Sequence, residues 1–269
     1  MNTNEDVLPI SLKDNLIKIE QQLKEYILAN YDINDQNIAV KFTHTFRTKL
    51  VSDQICEALK LSERDCYIAS IVALFHDYAR FEQTKRFGTF NDLTSLDHGD
   101  LAVELLFDKK QIFNFVSDLT EEELDLIYKA IKNHNKFKIE EGLNEKQTLF
   151  CNIIRDADKL DIFRIVAFDP RCNNLQEGYL KTEDIDNFYN HVLYKKKKEI
   201  DFYDLAMLHI SLIYDFNYHC SFEILNKEKY LKMYMYTLLL WATFKVDEDL
   251  LDCFDYAERY VKEKCENKS

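Results

Sequence analysis

Glycine and proline are almost missing from this chain, with 4 and 2 in 269 residues. A β-sandwich or an α/β fold spends turn residues far more freely, so their scarcity excludes both and predicts an all-α protein. A basic balance is missing too. The 35 Lys and Arg stand against 48 Asp and Glu, a formal net charge of −13, which excludes a surface built to coat a nucleic-acid polymer but leaves room for a local basic pocket. No CxxC pair occurs among the seven cysteines, at 56, 66, 151, 172, 220, 253 and 265. The opening "MNTNEDVLPISLKDN" lacks the basic start and apolar run of a secretion signal. Reduced thiols and a cytoplasmic location are the expectation. The most apolar later stretch, "YTLLLWATF", is too short to span a bilayer, so no membrane partner is expected. Internal repeats, Gly/Ser linkers and low-complexity tracts are also missing.

What is present is apolar periodicity. A hydrophobic share of 46% allows a sizeable core. Leu12, Leu16, Ile19, Leu23 and Ile27 mark a first amphipathic helix, opened by Ser11 with Asp14 in a capping-box-like pair. Val51, Ile55 and Leu59 mark a second. Ser62 with Asp65 restarts the chain, and Ile68, Ile71, Val72 and Phe75 form one stripe. Thr120 with Glu123 caps a helix whose inner face is Leu124, Ile127 and Ile131, and Ile153, Ile154 and Ala157 lie on the next. The stretches 202–216, 228–245 and 247–264 read as further helices. The loop "FDPRCNNLQEGY" is the best internal boundary, dividing residues 1–166 from a C-terminal helical extension, 167–269, expected to pack on them.

The histidines fall on the apolar faces. His44, Thr48, Val51 and Ile55 are spaced 4, 3 and 4 apart, so one helix face carries them all. His76 continues the stripe of Val72, His134 follows Ile131 by three, and Asp158 follows Ile154 by four. Asp77 adjoins His76. A lone inward histidine is more often a hydrogen-bonded core residue than a ligand. Several buried ionisable groups together would cost several kcal/mol unpaired, and shared metal coordination satisfies them at once, since neutral imidazole and carboxylate suit iron, manganese or zinc. The residues alone leave both readings open.

The order His44, then His76–Asp77, His134 and "DADKLD", over roughly residues 40–166, resembles the HD superfamily of metal-dependent phosphohydrolases. The resemblance implies an HD-domain helical bundle in which His44, His76, Asp77 and Asp158 bind one metal. Asp158 is preferred over Asp156 because it occupies the Ala-Asp step, and its helical position agrees. Some members bind two metals through two added histidines; His98 and His134 fit those places, and Asp77 would then bridge. Where some two-metal relatives carry consecutive histidines, this chain has Asn133–His134.

The chemistry so implied is hydrolysis of a phosphoester or phosphoanhydride bond by metal-activated water. One or two divalent ions are expected, Mn²⁺ or Fe²⁺ first, with Mg²⁺, Zn²⁺, Ni²⁺ and Co²⁺ compatible. The substrate would be a nucleotide or another small phosphorylated molecule, and a homo-oligomer is compatible. Asp77, Arg80 and Lys159 are the catalytic candidates, the two cations as phosphate contacts. Arg47 and Asp161 are candidates to orient a ligand or meet substrate, Asp161 as the carboxylate behind a histidine. A di-iron oxygenase and a nucleotide-sensing module without catalysis are the alternatives. His191, His209 and His219 lie outside the pattern, and His209 reads as a core residue. The run "YKKKKEID" reads as a solvated face, and Tyr78, Phe81 or Tyr179 are candidates to line the pocket.

Overall fold

Helix capping shows how few turn residues this chain needs. The computed structural model describes residues 11–169 and 175–267, and its regular elements are helical, with no strand among the described residues. Helix α1 (Leu12–Asn30) opens at Ser11, whose hydroxyl accepts the Asp14 N–H; the Asp14 carboxylate takes the Ser11 hydroxyl instead of a backbone N–H, so this is a single cap. Asp35 caps α2 (Gln36–Ala58), and Ser62 caps α3 (Glu63–Phe75). Helix α4 (Tyr78–Phe87) stops at Gly88, whose φ of 65° is the left-handed conformation that glycine adopts cheaply. After the short α5 (His98–Val103), helices α6 (Glu121–Asn133) and α7 (Glu145–Phe168) open with complete capping boxes, Thr120 with Glu123 and Asn144 with Gln147. The C-terminal part holds α8 (Thr182–Tyr189), α9 (Phe202–Ile210), α10 (His219–Glu228), α11 (Tyr230–Trp241) and α12 (Glu248–Glu266).

Two expectations need adjustment. The stretch 202–216 is helical only to Ile210, followed by a 3-10 turn at Ser211–Asp215, and α10 lies in a region not read as helix. The start of α10 is held from outside: the buried Asp156 carboxylate accepts the N–H groups of Asn217 and Tyr218, both at 3.0 Å, and the Ser221 hydroxyl at 2.6 Å. A cap delivered by tertiary packing leaves no local signal. Of the expected boundary loop, residues 170–174, with Cys172, lie outside the described residues, as do residues 1–10.

The core centres on α3 and α7. Ile68, Ile71, Val72 and Phe75 are all fully buried, as their spacing predicts, and each such side chain contributes about 1.5–3 kcal/mol. Helix α3 packs among α1, α2, α6 and α7. Helix α7 meets α2, α3 and α6 on one side and α10 and α11 on the other, so it is buried on both faces. Thr237 on α11 donates to the Ala167 carbonyl at 2.6 Å, fastening the C-terminal helices to α7. No described helix is long and apolar enough to cross a membrane.

Candidate metal centre

The site begins where a helix breaks. Helix α3 ends at His76, and Asp77 leaves helical geometry (φ −100°, ψ 15°) before α4 starts, so two neighbouring side chains turn toward α2 together. There His44 is fully buried. His76 closes α3 on itself, with Nδ1 2.7 Å from the Ala73 carbonyl, and His134 closes α6 the same way, with Nδ1 2.6 Å from the Ile131 carbonyl. Carbonyl groups in a last helical turn are left without helical donors. A carbonyl can only accept, so both Nδ1 atoms carry the proton.

The other two rings are fixed by carboxylates. His44 Nδ1 lies 2.8 Å from Asp161 Oδ2, and His98 Nδ1 lies 2.6 Å from Asp92 Oδ2. All four rings therefore turn Nε2 inward. His44 and His76 bring these atoms to 3.3 Å, and His98 and His134 to 2.9 Å. Gly99 keeps the second pair close, since a Cβ there would stand 2.5 Å from the Asn135 side chain.

Asp77 divides its two oxygens between the pairs. Oδ2 is 3.4 Å from His44 Nε2 and 3.6 Å from His76 Nε2, while Oδ1 is 3.4 Å from His98 Nε2 and 3.7 Å from His134 Nε2. Asp158 Oδ1 joins the first pair, 3.0 Å from His44 and 3.8 Å from His76. Donors about 2.0–2.2 Å from one ion stand roughly 3.0–3.6 Å apart, which these separations approach. The donor chemistry fits as well: His44–His76–Asp77 and Asp77–His98–His134 are buried nitrogen and carboxylate sets that suit a divalent transition metal.

The expected ligands His44, His76, Asp77, His98, His134 and Asp158 are thus brought together, and Asp161 stands behind a histidine as expected. Asp156 does not join them. It is nevertheless 0% exposed, more buried than Asp158 at 17%. Because α7 is covered on both faces, burial does not distinguish the two, and Asp156 points to the opposite side, at α10. Asn133 turns from the site too, donating to the Lys129 carbonyl and accepting the Glu140 N–H.

Electrostatics follow from burial and from the carboxylates. At His44, burial and Lys41 oppose the charge, but Asp158, Asp161 and Asp77 outweigh them and push the pKa up to about 10. Coordination through Nε2 must displace that proton. Burial, with His134 and His44 adding to it, carries His76 down to about 4 against the pull of Asp77 and Asp158, and burial with the Arg80 charge takes His98 down to about 3. Against its own burial, Asp77 is held well below the usual carboxylate range by Lys41 and His76.

Several partners escaped the sequence reading. Lys41 Nζ lies 2.6 Å from Asp77 Oδ2, and its one available signal is its place three residues before His44 on the same helix face. Asp92, which orients His98, sits in a loop with no signal at all. Arg80 Nη1 donates to Asp92, Gln83 and the Phe90 carbonyl, while its buried Nε, without a hydrogen-bond partner, lies 3.5 Å from Asp77 Oδ1. Lys159 is buried and bonds Asp215 at 2.6 Å and the Arg155 carbonyl at 3.1 Å; burial and the Arg155 charge lower its pKa. Both expected phosphate contacts are therefore paired with carboxylates. Arg47 is 43% exposed and braces Asp161 at 3.1 Å.

Beside the centre lies a cavity of about 660 Å³ whose wall includes His134, Asp158, Lys159 and Phe137. The expected pocket residues are elsewhere. Tyr78 and Phe81 are buried core, Tyr78 against Tyr26 and Phe115, and Tyr179 is 68% exposed. The lysine run is not simply a solvated face either: Lys195 and Lys196 line this cavity. Outside it, His209 Nδ1 bonds the Tyr234 hydroxyl at 2.8 Å, a satisfied histidine as its apolar neighbours suggested.

Among known protein families, the model described as HD domain matches residues 42–162, a span containing all six candidate ligands. No curated protein and no solved structure matches the chain.

Proposed function

From the premise that residues 42–162 match an HD domain, we propose that this chain is a metal-dependent phosphohydrolase acting on a nucleotide or another small phosphorylated substrate. One observation carries the reading: the two oxygens of a single buried carboxylate, Asp77, serve two separate histidine pairs. Two divalent ions, when bound, lower the pKa of a water and polarise phosphoryl oxygens. Mn²⁺ or Fe²⁺ suits the mixed imidazole and carboxylate set, and other divalent ions are compatible.

The chain's own residues prepare the site. Four fixed Nδ1–H groups set the rings, so the Nε2 lone pairs need no reorganisation. Arg80 Nε, buried 3.5 Å from Asp77 Oδ1, supports the shared carboxylate from behind. Burial of the centre keeps bulk water away and strengthens every charge interaction inside it. Lys195 and Lys196, without carboxylate partners on the cavity wall, favour an anionic substrate, which supports this reading over an oxygenase on the same ligands. A sensor without catalysis has no need for so complete a donor set.

Metal-loaded protein should be screened against nucleotides, dinucleotides and sugar phosphates with Mn²⁺, Fe²⁺ and Mg²⁺ in turn, following phosphate release. Hydrolysis that disappears in Asp158→Ala is expected. Turnover that requires both iron and oxygen and releases no phosphate would defeat the proposal in favour of the oxygenase.

A further inference from the structure

The C-terminal extension supplies part of the cavity wall, and one of its segments carries lysines. Between α8 and α9 the chain runs without regular structure, and Leu193–Lys196 form part of the cavity wall opposite His134 and Asp158. This strap is pinned. The Tyr194 N–H donates to Ser211 Oγ at 3.0 Å, the Tyr194 hydroxyl bonds Asp204, and the Lys198 carbonyl accepts from Asn91 Nδ2 at 3.4 Å. Lys197 is held outside by Asp204 at 2.6 Å and Asp184 at 3.7 Å.

Its neighbours differ. Among the described residues, neither Lys195 nor Lys196 pairs with a carboxylate, whereas the other cations of the wall do: Arg155 and Lys159 share Asp215, and Lys136 is held by Asp97 and Asp100. Lys195 Nζ lies 5.7 Å from the Phe137 ring centroid, on the cavity wall. Lys196 remains exposed at the surface, yet the burial around its ammonium and the nearby charges of Arg80 and Lys41 lower its pKa, with Asp92 opposing. In a chain of net charge −13, two lysines without a carboxylate partner stand on the wall of the cavity beside the centre, where the other cations are already balanced. Cations left unpaired at the wall of a cavity favour an anion there.

We propose that Lys195 and Lys196 form a polyphosphate-binding arm, taking phosphate groups beyond the one at the His–Asp centre, so that the substrate class carries a chain of two or more phosphates. The inference rests on the phosphohydrolase reading for its substrate, but the arm itself is tested by binding. Ile162, Leu208 and Leu212 line the same cavity and leave an apolar wall for an organic group beside the chain.

The test uses full-length protein loaded with Mn²⁺ and desalted, titrated calorimetrically with inorganic tripolyphosphate and with orthophosphate. Wild type should bind tripolyphosphate the more tightly. The pair Lys195→Gln/Lys196→Gln should weaken tripolyphosphate about ten- to hundredfold, as expected for two charge-assisted contacts at a partly exposed site, and change orthophosphate less than about twofold. Lys198→Gln, an exposed lysine off the cavity wall, is the control for general surface charge. Equal affinity for both anions in wild type, an unaffected double variant, or an equal loss in Lys198→Gln overturns the arm. Lysine-dependent tripolyphosphate binding in a protein that hydrolyses nothing would instead defeat the phosphohydrolase reading and leave the arm standing.

Discussion

Replacing Asp77 by alanine removes the carboxylate that both donor groups share, and its consequences are unequal. The first group keeps His44, His76 and Asp158, whereas the second keeps only the rings of His98 and His134. Removing a residue that merely orients a ligand weakens metal binding about 10–100-fold. Loss of an anionic ligand should reach at least the upper end, about 2.7 kcal/mol. Metal bound only to the folded state stabilises by mass action, so the same amount vanishes from the metal-linked stability. At about 2–4 °C per kcal/mol for a chain of this size, the rise in Tm produced by saturating Mn²⁺ should shrink by about 5–10 °C. Elemental analysis of gently purified protein should fall from two ions to at most one. Asp77→Asn separates charge from shape, because it leaves a side chain of equal size beside Lys41, which sits 2.6 Å from Asp77 Oδ2. Asp156→Ala is the control: it strips the start of α10 of its cap and should lower Tm with or without metal, while leaving metal content intact. Two ions and full turnover in Asp77→Ala would refute the shared-carboxylate reading. Metal lost in Asp156→Ala and kept in Asp158→Ala would show that the last ligand is misplaced by two residues.

The carboxylates behind the rings make a paired prediction. Asp92→Ala should weaken one ion about 10–100-fold and Asp161→Ala the other, read as separate steps in a Mn²⁺ titration; wild-type titrations in both would remove the orienting role. A pH effect is expected far from the site, where Glu123 accepts from Arg64 Nε and Nη2, both at 2.7 Å, a contact that lowers its pKa from 4.5 to about 2. A carboxylate depressed on folding contributes stability that is present above about pH 4.5 and lost as the pH falls toward 2. Glu123→Gln should therefore be less stable than wild type at pH 6 and lose less stability between pH 5 and 2, and parallel denaturation curves across that range would refute the assignment.

The inward direction of His44, His76, His134 and Asp158 was legible because it is written in local periodicity, whereas His98 and the roles as ligands came from the resemblance. His44 shares a face with Thr48 and Ile55, His76 ends the stripe of Ile68, Ile71 and Val72, and helical spacing converts both patterns into direction without knowledge of any other element. Caps at Asp35, Ser62, Thr120 and Asn144 are equally local, since their partners lie within three residues. Local pattern fails where a residue's partner lies across the fold. Asp156 is buried because α10 covers the second face of α7, and α10 begins where it does because Asp156 accepts its first N–H groups. Neither half of that arrangement is visible without the other.

The sequence by itself determined the donors: which residue types could hold a metal, which helix faces carry them, and that Asp77 adjoins His76 at a helix end. Tertiary structure decided which charges remain available. Arg80 and Lys159 look like free cations beside ligand residues in the chain, but Asp92, twelve residues from Arg80, and Asp215, in the C-terminal part, neutralise them. Lys195 and Lys196 look like part of a uniform run, yet the neighbouring Lys197 is bound by Asp204 while they face the cavity. Whether an ion pair forms depends on a distance of a few ångströms between side chains far apart in the chain, and packing sets that distance.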